Sequence, residues 1–218
     1  MFIKSFPVGP FQCNCTIIGD PKSGEAMVID PGDDAETILN EVKAQGFDVK
    51  YLLHTHAHID HIAATKEVHA GCGGEICLHK GDIPLYENLK MQAEFLGVDL
   101  PDGDVLPISK FMEHGDIIEC NANLRSEALF TPGHTPGSMC FLLKGMPMGD
   151  KEVPLLLSGD TLFSGSIGRT DLWGGDHPQI IASIKEKLLT LPPETIVIPG
   201  HGPQTSIGHE VQSNPFVS

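Results

Sequence analysis

Short, almost unbroken apolar runs alternate along the chain with stretches in which apolar residues recur every three or four positions. "CTIIGDPKSGEAMVIDPGD", starting at Cys15, reads as two short strands around a Pro/Gly turn, with a second turn at Asp30–Gly32. In "DDAETILNEVKAQGF", Ile38, Leu39, Val42 and Phe47 fall at near-helical spacing, with acids at the start and Gly46 near the end, which predicts a helix. "VKYLL" is a short strand, residues 60–70 carry a second helical pattern, and "EICLH" is a strand again. Residues 83–97 look helical and 98–107 look like a loop. Apolar strands follow at "DIIEC", "LRSEALF", "SMCFLLK" and "VPLLLSG", with "GMPMGDKE" predicted as the turn between the last two. "PQIIASIKEKLLTL" is an amphipathic helix, and "TIVIPGHG" is a strand running into a Gly-rich loop. No linker or repeat divides this order. It predicts a single domain over residues 1–218, of layered α/β or α+β type, with two sheets between helices.

Composition narrows the partners. The 29 acidic and 14 basic side chains give a formal charge of -15, which disfavours nucleic acid, since phosphate binding wants a basic surface. No apolar stretch is long enough to span a bilayer. "MFIKSFPVGPF" lacks the pattern of a secretory signal, so the expected location is cytoplasmic and the six cysteines are expected to be reduced and mostly buried. Cys13 and Cys15 read as alternate positions of a strand.

Candidate chemistry concentrates in "LLHTHAHIDH". His56 and His58 lie two apart just beyond a predicted strand, so in an extended segment both rings point the same way. Asp60 and His61 follow where the chain turns into a helix, so the run offers donors to two metal sites. Three further places share one grammar, a buried strand, then a glycine, then a donor: His134 in "FTPGHTPGS", Asp160 in "LLLSGDTLF" and His201 in "IVIPGHG". One such place means little, whereas four together mark a metal site. His54 has no matching partner and is assigned to the strand end or to supporting a ligand; His69, His79, His114, His177 and His209 lack the context altogether.

His-x-His-x-Asp-His at 56–61, followed by separated His134, Asp160 and His201, resembles the metallo-β-lactamase superfamily, in order and spacing from about residue 14 to 201. The resemblance implies an α+β fold, a four-layer αββα sandwich, with a dinuclear site on its edge. It also implies that His56, His58 and His134 hold one metal, that Asp60, His61 and His201 hold the other, and that Asp160 bridges them. Zinc is the expected metal, with iron and manganese also suited to mixed nitrogen and oxygen donors. The commonest β-lactamases carry a cysteine where this chain has Asp160, so antibiotic hydrolysis is disfavoured.

"SGDTLFSGSIGRTDL" at 158–172 resembles glyoxalase II, without the C-terminal helical domain of that enzyme, and so is similar to its short, single-domain relatives. This implies metal-dependent hydrolysis of a small-molecule thioester, S-D-lactoylglutathione or a related compound, by a metal-bridging hydroxide, with Asp60 orienting the attack. Arg169 stands where glyoxalase II has a lysine and is a candidate for holding a substrate carboxylate, or for a salt bridge with Asp171 or Asp176. "GRTDL" also resembles persulfide dioxygenases of the same fold, which would hold one iron at His56, His134 and Asp160. A metal-binding protein without hydrolase activity is the third reading. The sequence is silent on oligomeric state.

Overall fold

A computed structural model of the chain describes residues 1–100, 103–148 and 151–217. The first half forms β1 (Phe2–Val8), β2 (Cys13–Asp20), β3 (Glu25–Ile29), α1 (Ala35–Gln45), β4 (Asp48–Leu53), α2 (Ile59–Ile62), α3 (Thr65–Cys72) and β5 (Glu75–Leu78). Then come α4 (Ile83–Tyr86), α5 (Leu89–Leu96), β6 (Lys110–Phe111), β7 (Ile117–Asn121), β8 (Leu124–Phe130), β9 (Met139–Met148) and β10 (Lys151–Gly159). The chain closes with a two-stranded ribbon, β11 (Leu162–Phe163) and β12 (Ser166–Ile167), then α6 (His177–Ser183), β13 (Ile196–Pro199), β14 (Thr205–Ser206) and α7 (Ile207–Ser213).

The larger sheets have the orders β1-β2-β3-β4-β5-β6 and β14-β13-β10-β9-β8-β7. They face each other across a core that includes Ile18, Met27, Ile29 and Leu53 on one side and Phe141, Leu143, Leu155 and Leu157 on the other. Alternate residues of the same strands turn outward. Ile17, Val28 and Leu52 pack under Ile38 of α1 and Val68 of α3, while Leu142, Leu156 and Val197 pack under Ile180 of α6 and Ile207 of α7. Burial on both faces explains why these strands read as continuous apolar runs, and it yields the expected four-layer αββα order. Cys13 and Cys15 are buried on β2, and none of the six cysteines forms a disulfide. No helix among the described residues is long and apolar enough to cross a membrane.

Three predicted helices are interrupted. The helix expected over 60–70 splits because the Ala64 amide donates to Pro31 O, outside the helix. That over 83–97 splits at Asn88, whose side-chain amide donates to the Pro84 carbonyl and competes with the backbone ladder. The helix over 178–191 widens after Ser183 into a π-turn, the Leu189 amide reaching back to Ile184 O. The turn expected over 145–152 is instead largely strand, with Val153 paired to Met146 and Lys151 to Met148. Gly145 and Pro154 make a bulge there, where a proline's missing N–H does no harm; residues 149–150 of that turn, and 101–102 of the predicted loop, lie outside the described residues.

Candidate metal centre

Every donor singled out in the sequence sits just past a strand or at the first turn of a helix, along one edge of the sandwich. His56 and His58 follow β4, Asp60 and His61 lie in α2, and His134, Asp160 and His201 follow β8, β10 and β13. The structure gathers all seven. His56 Nε2, His58 Nδ1 and His134 Nε2 form a triangle with sides of 3.1, 2.9 and 3.2 Å. Beside it, His201 Nε2 lies 3.1 Å from Asp60 Oδ2 and 3.3 Å from His61 Nε2. Asp160 stands between the groups, Oδ1 3.5 Å from His61 Nε2 and Oδ2 3.6 Å from both His134 Nε2 and His201 Nε2.

Hydrogen bonds on the far side of the rings fix which nitrogen faces the centre. His134 Nδ1 lies 2.7 Å from Arg169 O and His201 Nδ1 3.0 Å from Phe11 O; a carbonyl only accepts, so both Nδ1 atoms carry hydrogen and both Nε2 atoms present lone pairs. His61 Nδ1 donates to Asp30 Oδ2 at 3.0 Å. Thr55 Oγ1 gives its own hydrogen to Asp30 Oδ2, so it accepts from His56 Nδ1 at 3.1 Å. Lone pairs packed about 3 Å apart repel unless a cation lies between them. Around a tetrahedral zinc with bonds of about 2.0–2.1 Å, neighbouring nitrogens are roughly 3.3–3.4 Å apart, close to the sides of this triangle. Asp160 Oδ1 is buried without a hydrogen-bond partner among the described residues, another donor aimed inward. The donor set fits metal ions.

Several residues that support the centre carried no sequence signal of their own. Asp30, in a left-handed conformation (φ 53°), accepts from the Thr55 amide and hydroxyl and from His61. Buried Asp82 ties two ligand loops together, accepting from the Ala57 amide, the Thr135 hydroxyl and the Gly137 amide. Gln92 spans the amide of Ile59 and the carbonyl of Ala57. Glu210 of α7 accepts from the Gly165 amide and Asn214 Nδ2, and Asn214 donates to Ser166 O, so the last helix holds the β11–β12 ribbon. His54 bonds Cys77 O and Thr65 Oγ1, away from the donors, as expected.

Two of the glycines in the strand–glycine–donor grammar show why they are needed. Gly159 has φ of +47°, and a Cβ there would lie 2.4 Å from Thr55 Oγ1. A Cβ at Gly200 would lie 2.1 Å from Asp160 Oδ1 and 2.8 Å from His61 Cε1.

The two groups differ in electrostatics. Burial, aided by the neighbouring imidazoles, holds His56 far below the usual histidine range and His58 down to about 3. Burial works against protonation of His61 as well, yet the Cys13 sulfur and the carboxylates of Asp60, Asp160 and Asp30 outweigh it and raise the ring well above its ordinary value. His201 follows the same pattern, burial being overcome by the Asp60 and Asp160 carboxylates beside it. Burial also opposes ionisation of Asp60, but His61 and His201 hold its carboxyl far below the ordinary range.

A family profile described as the metallo-beta-lactamase superfamily matches residues 8–201. The chain belongs to the metallo-beta-lactamase superfamily. Within the superfamily it is 39% identical to the hydroxyacylglutathione hydrolase GloC of Haemophilus influenzae, over 100% of this chain and 99% of that protein. It is similar in structure to BLEG-1, described as a B3 metallo-beta-lactamase, with a TM-score of 0.86, 34% identity and full coverage of both chains. It is also similar to TTHA1623, solved in a di-iron-bound form, with a TM-score of 0.81, 35% identity and coverage of 99% and 100%. Superfamily and relatives indicate a metallo-hydrolase, whose histidine and aspartate cluster suits metal ions.

In this superfamily member five of the donors, His58, Asp60, His134, Asp160 and His201, floor a cleft of about 430 Å³. Its walls include Phe11, Leu96, Phe163, Ile167, Leu172 and Trp173. Arg169 is on the wall too, its guanidinium clasping Asp171, with Nε to Oδ1 at 2.7 Å and Nη2 to Oδ2 at 2.9 Å.

Proposed function

We propose that the chain is a thioester hydrolase of glyoxalase II type, acting on S-D-lactoylglutathione or a related small thioester with two divalent metal ions, zinc foremost. The observation that carries this is the convergence of seven histidine and aspartate donors, five of which, His58, Asp60, His134, Asp160 and His201, line an open cleft. His56, His58 and His134 would hold one ion and Asp60, His61 and His201 the other, with one Asp160 oxygen facing His61 and the second facing His134 and His201. When bound, the metals supply an acidified water as nucleophile and a Lewis acid for the carbonyl oxygen. Asp60, held ionised by its histidine neighbours, would accept a hydrogen bond from the water and so orient it rather than donate a proton. The apolar walls offer a surface on which the uncharged parts of a substrate can pack. We read residues 1–218 as one domain built around this centre, working in the cytoplasm.

The second reading, a mononuclear iron dioxygenase acting on persulfides, draws support from His56, His134 and Asp160, which offer two nitrogens and a carboxylate within one group of donors. One experiment separates the readings. The purified protein, loaded with zinc or with iron, is given S-D-lactoylglutathione, glutathione persulfide and a cephalosporin, the last because of the likeness to BLEG-1. The expected result is about two metals per chain and loss of the thioester absorbance, with no oxygen uptake and no ring opening. Oxygen uptake on the persulfide with one iron and an intact thioester overturns the hydrolase reading.

A further inference from the structure

Arg169 is the only lysine or arginine among the described residues lining the cleft, and its charge reaches His58 on the floor. A planar guanidinium at such a place is suited to gripping a carboxylate on a substrate through two parallel hydrogen bonds. In this chain that grip is taken, because Asp171 presents both carboxylate oxygens to Nε and Nη2 in the arrangement a bound carboxylate would adopt. The backbone at Arg169 is pinned separately, its carbonyl accepting from His134 Nδ1 at 2.7 Å. The clasp therefore concerns the two side chains, and releasing it leaves that support of the metal centre in place.

We propose that Asp171 is a specificity-determining residue, an internal competitor that occupies Arg169 and so sets how well the cleft accepts thioesters whose thiol part carries a carboxylate. This rests on the thioester reading above. The side chains of Arg169 and Asp171 are 58% and 69% exposed, so the pair is a weak one, screened by water. It grades the preference and does not forbid anionic substrates. A carboxylate arriving on a substrate displaces Asp171 into solvent. A thiol part without charge gains nothing from Arg169 and rests on Phe11, Leu96, Phe163 and Trp173.

The test compares D-lactoyl thioesters of glutathione and of the uncharged thiol N-acetylcysteamine, in the parent chain, Asp171→Asn, Arg169→Gln and the double variant, all loaded with zinc. Asp171→Asn is expected to shift the ratio of kcat/KM for the two substrates roughly 2–5-fold toward the glutathione ester, mostly through KM, as befits an exposed pair. In the Arg169→Gln background the same substitution is expected to shift nothing. An equal shift for both substrates, or a shift that survives the loss of Arg169, overturns the proposal, the latter because it would show only the removal of a negative charge. Titration calorimetry with unreactive S-hexylglutathione reads the same four-way comparison without turnover. Absence of hydrolysis in the parent chain would thus sink the thioester reading, while calorimetry still decides the clasp.

Discussion

The two halves of the candidate metal centre are built from similar donors, yet their histidines are shifted in opposite directions. His56, His58 and His134 face one another in a buried, all-nitrogen pocket, and burial strongly opposes protonation of His56 and His58. Asp60, His61 and His201 lie a few ångströms away, yet carboxylates hold protons on both of these imidazoles to higher pH. The difference shows that ligand identity alone does not decide readiness for a metal. The charge beside each ring does. Protons compete with a metal for His61 and His201 up to higher pH than they do for His56 and His58.

The largest test of this comparison is the residue the halves share. Asp160→Ala is expected to empty both groups and lower hydrolysis by more than about 100-fold, beyond the 10–100-fold typical of residues that only orient ligands. Metal analysis of the purified variant checks it, and two retained metals would show that Asp160 bridges nothing.

Asp30→Asn comes next. Asp30 accepts directly from His61 but reaches His56 only through Thr55, so affinity for the second metal should fall roughly 10–100-fold and for the first by less. Stepwise titration with a competing chelator measures both, and equal losses would erase the asymmetry.

The smallest effect is in pH. Imidazole binds metal only when neutral, and a raised pKa keeps the proton on until higher pH. As pH falls, His61 and His201 therefore regain protons first, while His56 and His58 stay neutral to much lower pH. Dialysis of the loaded protein across a descending pH series should show one metal leaving before the other. Loss of both in a single step would contradict the contrast.

How much of this was legible in the sequence depended on whether a residue's role is local. β2, β3, β4, β8, β9 and β10 were readable because burial on both faces leaves a dense apolar run. The donors were readable because four such places recur together after strand ends, although any one of them alone means little. β1 was not predicted, having mostly exposed or half-buried positions, and the short β6, β11, β12 and β14 were too brief to leave a pattern. Asp30 looked like part of an ordinary turn, and Asp82 drew no assignment. Their partners lie 25 to 55 positions away, at Thr55, Ala57 and Gly137, and nothing nearby in sequence points to them. Glu210 and α7 escaped for the same reason, since what they hold is a ribbon some forty-five residues upstream.

The missing side chain at Gly200 reaches beyond packing. With the Asp160 carboxylate and the His61 ring already filling the place where a Cβ would go, even alanine has no room there. The floor of the cleft is therefore closed to gradual evolutionary drift. The walls are not, because Phe11, Leu96, Phe163, Leu172 and Trp173 meet no such backbone constraint toward the cleft they line. Descendants of this chain could acquire new substrates by exchanging wall residues one at a time above an unchanging set of donors, so divergence in what is hydrolysed should be written in the walls and not in the floor.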